Sequence, residues 1–193
     1  MKIRCIFGQI ETGNSLHAIL YDGQNVDIYE QLMDNWFNPE WVRNYLTKNS
    51  DYLASGFYKG LINETACQIM DEAEEMEEIL LGICDGSNKN GLKNLGMFFK
   101  PLTDSDYKVS DIRKEKTSVK SRQFPKPFLR IYALRISQDL FIVTGGAIKL
   151  TQTMQQHADT KRELERISQA KDFLTSKGIT TADDLIYYYD NGQ

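Results

Sequence analysis

Phe128-Leu-Arg-Ile-Tyr-Ala-Leu-Arg-Ile-Ser-Gln-Asp-Leu-Phe-Ile-Val-Thr-Gly-Gly-Ala-Ile-Lys-Leu-Thr151 reads as two β-strands around a Ser137-Gln138-Asp139 turn. β-Branched and aromatic residues fill both arms, a composition suited to a half-buried pleated surface. The second arm runs through Gly145-Gly146 to a single lysine, Lys149. Such a hairpin places Arg130, Tyr132, Arg135 and Lys149 on or beside one small antiparallel sheet. Arg130 and Tyr132 share a face by the two-residue period, whereas Arg135 has opposite parity unless a bulge intervenes. The diglycine fits a bulge or bend, or the close approach of a ligand backbone.

Upstream, Ile3, Cys5 and Phe7 alternate, and residues 16–21 form a second apolar run ending at Asp22-Gly23; both read as short strands. Helical spacing takes over at Val26, Tyr29, Leu32, Met33 and Trp36. Asn38-Pro39 then restarts a helix, with asparagine as the cap and proline in the first turn. The clearest helix covers residues 64–81. Ala66, Ile69, Met70, Ala73, Met76 and Leu80 make its apolar stripe, and six carboxylates cover the remainder as a solvated acidic face. After the hairpin, Thr160 and Glu163 fit a capping box opening a helix that stops at Lys177-Gly178, and Thr181 with Asp184 caps one more. The pattern predicts a single α+β domain over residues 1–193, an antiparallel sheet with a C-terminal hairpin flanked by several helices.

Charge is distributed unevenly along the 193 residues. The total is −4, but residues 1–99 carry −8, residues 100–135 carry +6 and residues 136–193 carry −2. An overall acidic balance argues against a protein that coats nucleic acid along its whole surface. The basic excess leading into the hairpin, however, fits a local anion-binding face. Lys120, Arg122, Lys126 and Arg135 are its candidate RNA contacts, and residues 103–126 read as a flexible basic loop. Cys5, Cys67 and Cys84 are too scattered for a disulfide framework and are expected to be small buried hydrophobes. With only His17 and His157 beside them, no zinc-ligand spacing exists. Neither a membrane-length apolar run nor a signal-peptide core is present, so a cytoplasmic protein with no membrane partner and no cofactor is expected.

Cleaving RNA without a metal needs a group that takes the 2′-hydroxyl proton, cations on the phosphate, and a proton for the leaving 5′-oxygen. Arg130 and Lys149 suit the phosphate, and Tyr132 or His157 the proton transfers. The strand Leu129-Arg-Ile-Tyr132, the strand 141–149, then Thr151-Gln-Thr153 and a helix together resemble the C-terminal half of RelE/HigB-like toxins of toxin–antitoxin pairs. The likeness covers roughly residues 126–177. It implies a compact sheet flanked by helices, ribosome-dependent cleavage of messenger RNA, and an antitoxin protein as partner. The alternative is a non-catalytic protein-binding module on the same scaffold.

Overall fold

The computed structural model describes residues 1–55, 58, 60–102, 112–120, 125–151 and 157–191. In chain order the elements are β1 (Lys2–Gly8), β2 (Ser15–Leu20), α1 (Ile28–Phe37), α2 (Pro39–Lys48), α3 (Ser50–Ser55), α4 (Ile62–Asp85), α5 (Leu95–Phe98), β3 (Lys100–Pro101), β4 (Arg113–Thr117), β5 (Leu129–Arg135), β6 (Leu140–Ile148), α6 (Ala158–Ser176) and α7 (Ala182–Asp190). The strands form one sheet in the order β1-β2-β6-β5-β4-β3. The α+β expectation holds, and the sheet is antiparallel except that β2 runs parallel to β6. A parallel pair requires a long crossover, which here consists of everything between β2 and β6.

The 128–151 hairpin supplies the two central strands, β5 and β6. Its turn closes where the amides of Ile136 and Ser137 both donate to the Leu140 carbonyl. Tyr132 opposes Gly145 and Ala133 opposes Val143, so Thr144 is the extra residue of a bulge on β6. The diglycine therefore does mark a bulge. It also lets helices approach both sheet faces: a side chain at Gly145 would strike Glu163 of α6, and one at Gly146 would strike Leu32 and Trp36 of α1. The large buried side chains Trp36, Ile69, Met76, Leu80, Phe99 and Phe141 belong to a single core cluster. Burying such side chains contributes about 1.5–3 kcal/mol each, which gives the amphipathic helices their fixed orientation.

Capping follows local chemistry at three sites. Asn38 Oδ1 accepts from the amides of Glu40 and Trp41, and Asp27 Oδ1 accepts from those of Tyr29 and Glu30. Thr181 and Asp184 form the reciprocal box expected of them. The box expected at Thr160 does not form. α6 begins three residues earlier, capped by His157, whose Nδ1 accepts from the Asp159 amide, while the buried Thr160 hydroxyl donates to the His157 carbonyl.

Two further expectations are corrected. Within 103–126, the segment read as a flexible loop, residues 113–117 form β4 between β3 and β5; residues 103–111 and 121–124 lie outside the described residues. β4 has almost no apolar residues, and partners for its buried side chains help hold it in place, although Glu115 Oε2 has no hydrogen-bond partner among the described residues. Glu115 meets Arg135, and the Thr117 hydroxyl donates to the Phe98 carbonyl. The cysteines are not core hydrophobes either. Cys5 and Cys67 are exposed and Cys84 is half-buried, because β1 is an edge strand and Cys67 lies on the solvent side of α4. Among the described residues, no helix is long and apolar enough to cross a membrane.

Candidate functional site

Lys149 follows directly on β6, its amide donating to the Phe128 carbonyl at 2.7 Å. That bond holds the lysine against Phe128, just before β5 and two residues from Arg130. The half-buried Arg130 guanidinium curls back along its own strand, Nη1 donating to the carbonyls of Pro127 (2.9 Å) and Leu129 (2.6 Å). Lys116 of β4 is the cross-strand partner of Tyr132 and arrives from the other side. The Lys149 ammonium is pushed below the usual lysine range, first by burial, then by the charge of Arg130, then by that of Lys116. Cations from three consecutive strands of the sheet thus crowd one place.

Arg130 and Lys116, though not Lys149, also line a recess of about 590 Å³ together with Lys100 and Lys120. Lys100 and Lys116 are directly opposed across β3 and β4. Lys100 Nζ donates to the Met97 carbonyl at 2.8 Å and Lys116 Nζ to the Leu102 carbonyl at 3.3 Å. Among the described lining residues, Glu75 of α4 is the single carboxylate.

A second carboxylate stands behind the cluster. The fully buried Glu72 of α4 accepts from the amides of Phe128 (2.7 Å) and Leu129 (2.9 Å) and from Gln68 Nε2 (2.7 Å). Burial pushes its carboxyl up to about 7 against the opposing pull of those hydrogen bonds and of Arg130. Near neutral pH it therefore offsets only part of the Arg130 charge.

Of the residues singled out from the sequence, the fold brings Arg130 and Lys120 to the recess and Lys149 near Arg130, and sends others elsewhere. Arg135 lies on the opposite face of β5, as its parity requires. There its guanidinium pairs with the buried Glu115 at 3.3 Å, donates to the Ser137 carbonyl and sits over the Phe141 ring. Tyr132 is adjacent in sequence but almost fully buried, and its phenol is driven upward chiefly by burial, so it is held protonated. His157 is buried at the start of α6, where Nε2 meets Asn49 Oδ1 at 3.1 Å and the ring packs against Tyr52 and Tyr45. Its described contacts are with α2, α3 and α6, not with the cations. Lys126 is exposed beside the hairpin, and Arg122 lies outside the described residues.

Sequence reading missed Lys116, Lys100, Glu72 and Glu75. The first two carried a signal, the +6 charge of residues 100–135, but their convergence required β4 to be recognised as a strand. Glu72 was submerged in a run of six acidic residues. No protein-family model, curated protein or solved structure matches the chain.

Proposed function

We propose that this protein binds RNA through the phosphate backbone at Arg130 and Lys149, as the resemblance to RelE/HigB-like toxins implies, with Lys116 as a third contact. The observation that supports this reading is that Lys149 lies close enough to Arg130 and Lys116 to feel both charges, which add to burial in lowering its ammonium. Arginine offers a planar fork to phosphate oxygens and lysine a compact charge, and together they make a site for a polyanion on a chain of net charge −4.

The same geometry reassigns the chemistry that the likeness suggests. Burial, followed by the charges of Arg130 and Lys116, lowers the Lys149 ammonium from its usual range, which makes its amine the candidate to take the 2′-hydroxyl proton as that oxygen attacks phosphorus. The new O–P bond forms as the 5′-oxygen departs, and the proton on Lys149 passes to that oxygen. Arg130 stabilises the charge on the phosphoryl oxygens. Tyr132 and His157 are then support for the fold, not proton carriers.

The test compares wild type with the Arg130→Ala/Lys149→Ala variant, after circular dichroism confirms that both are folded. RNA affinity is measured against salt concentration, and messenger RNA integrity is followed with ribosomes present. Loss of two phosphate contacts lowers the salt slope by roughly 1.4, at about 0.7 per contact on a single strand, and abolishes cleavage. Equal RNA binding by the two proteins would remove the proposal. Binding of an acidic polypeptide but not of RNA would favour the protein-binding module.

A further inference from the structure

We infer that the recess beside the cations receives one unpaired guanine base of the bound strand, stacked on Phe98 with its hydrogen-bonding edge toward Glu75. The inference rests on the RNA reading and adds a base subsite to it. The recess is divided in character. Its rim is cationic, whereas Phe98, Met97, Leu92 and Ile79 give it apolar walls. Phosphate alone has no use for apolar walls. A nucleotide needs both, because its sugar–phosphate end is anionic and its base presents flat apolar faces. A volume of about 590 Å³ lies within the ordinary range for small-molecule sites.

Met97 is 42% exposed, a large apolar side chain left in water at the mouth of the recess, next to the partly buried Phe98 ring. Proteins that hold single-stranded RNA combine this kind of aromatic platform with a cationic track for the backbone.

Glu75 supplies the selectivity. It is half-buried on α4, and it is the one carboxylate among described lining residues that are otherwise basic, apolar or, at Asn90, Thr117 and Ser118, neutral polar. A carboxylate accepts hydrogen bonds and donates none. The pairing edge of guanine presents two adjacent donors, N1–H and the exocyclic amine, which match two carboxylate oxygens. Adenine and cytosine each place an unprotonated ring nitrogen beside their amine, and that lone pair faces the carboxylate unfavourably. Uracil offers one donor between two acceptors.

The experiment uses the full chain and short oligouridylates that differ at one central position: guanine, adenine or an abasic site. Fluorescence anisotropy at low salt measures each affinity. The guanine oligomer is expected to bind at least roughly fivefold more tightly than the abasic one, the lower end of what base stacking supplies. In Glu75→Gln the preference of guanine over adenine should collapse toward one, because the amide presents a donor to one of guanine's donors. Equal binding of the three oligomers to wild type overturns the base subsite while leaving backbone binding in place. An unchanged guanine preference in Glu75→Gln overturns the role of Glu75. If no oligomer binds wild type, the RNA reading falls with the inference.

Discussion

Among the described glycines, Gly145 leaves the least room for a side chain, because Glu163 fills the space above it. A Cβ placed on Gly145 would lie 1.7 Å from Glu163 Oε2 and 2.9 Å from its Cδ. The carboxylate is buried, with Oε1 accepting from Arg166 Nη1 at 3.0 Å while Oε2 has no hydrogen-bond partner among the described residues. The backbone at Gly145 lies outside the left-handed region, so alanine is excluded by space alone. Gly145→Ala should therefore destabilise the protein by about 1–3 kcal/mol. Most of that loss should disappear when Glu163→Ala removes the obstruction. Urea unfolding of the two single variants and the double variant would give a coupling of at least about 1 kcal/mol. Additive losses would mean that the two residues do not compete for the same space.

At the scale of elements, α4 is fastened to the first residues of β5 by one side chain. Glu72 accepts two backbone amides where the strand begins, so helix position and strand entry are fixed together. Glu72→Gln keeps an acceptor oxygen for those amides and should cost under about 1.5 kcal/mol. Glu72→Ala strands two buried donors and should cost roughly 2–5 kcal/mol, at about 1–3 for each unpaired group. Thermal melts of the two variants that coincide would show that the tie contributes nothing. The hairpin itself was legible because β-branched alternation on both sides of a polar turn is a local signal. β4 was not, since Arg-Lys-Glu-Lys-Thr has no apolar period and its burial is compensated by Arg135 and Phe98, both distant in sequence.

Across the whole molecule, buried carboxylates set the response to pH. Burial raises Glu72 and Glu163 from 4.5 to about 7. Gln68, Arg130 and the amides of residues 128 and 129 oppose the shift at Glu72; Arg166 and Arg162 oppose it at Glu163, with Asp159 adding to it. A raised carboxyl means that the folded protein holds protons the unfolded chain has released. The resulting stabilisation is complete below about pH 4.5 and is lost as the pH rises through about 7. The two carboxyls together favour pH 5 over pH 8 by roughly 5 kcal/mol, and the buried His17, lowered by burial to about 4, opposes them by roughly 2. Wild type should accordingly be more resistant to urea at pH 5 than at pH 8, by a net amount on the order of 3 kcal/mol. The Glu72→Gln/Glu163→Gln variant should lose this preference for pH 5. Asp184 acts in the opposite sense and at lower pH: its capping hydrogen bonds hold it at about 2, so its contribution fades only as the pH falls below its ordinary 3.8. Midpoints that rise from pH 5 to pH 8 in wild type would contradict this account.

The amino-acid order by itself determined the α+β class, the central hairpin, the long helix with its acidic face, and the caps at Asn38 and Thr181. Each of these is written in residues a few positions apart, where periodicity and capping chemistry act. Only the tertiary structure decided that β2 lies parallel to β6, that a polar segment becomes β4, and that His157 rather than Thr160 opens α6. It also decided which cations meet. Arg135 is neutralised by Glu115 on one face of the sheet, while Arg130, Lys149 and Lys116 converge elsewhere. Local signals place a side chain on its strand, but only pairing between distant strands decides whose charge stands next to it.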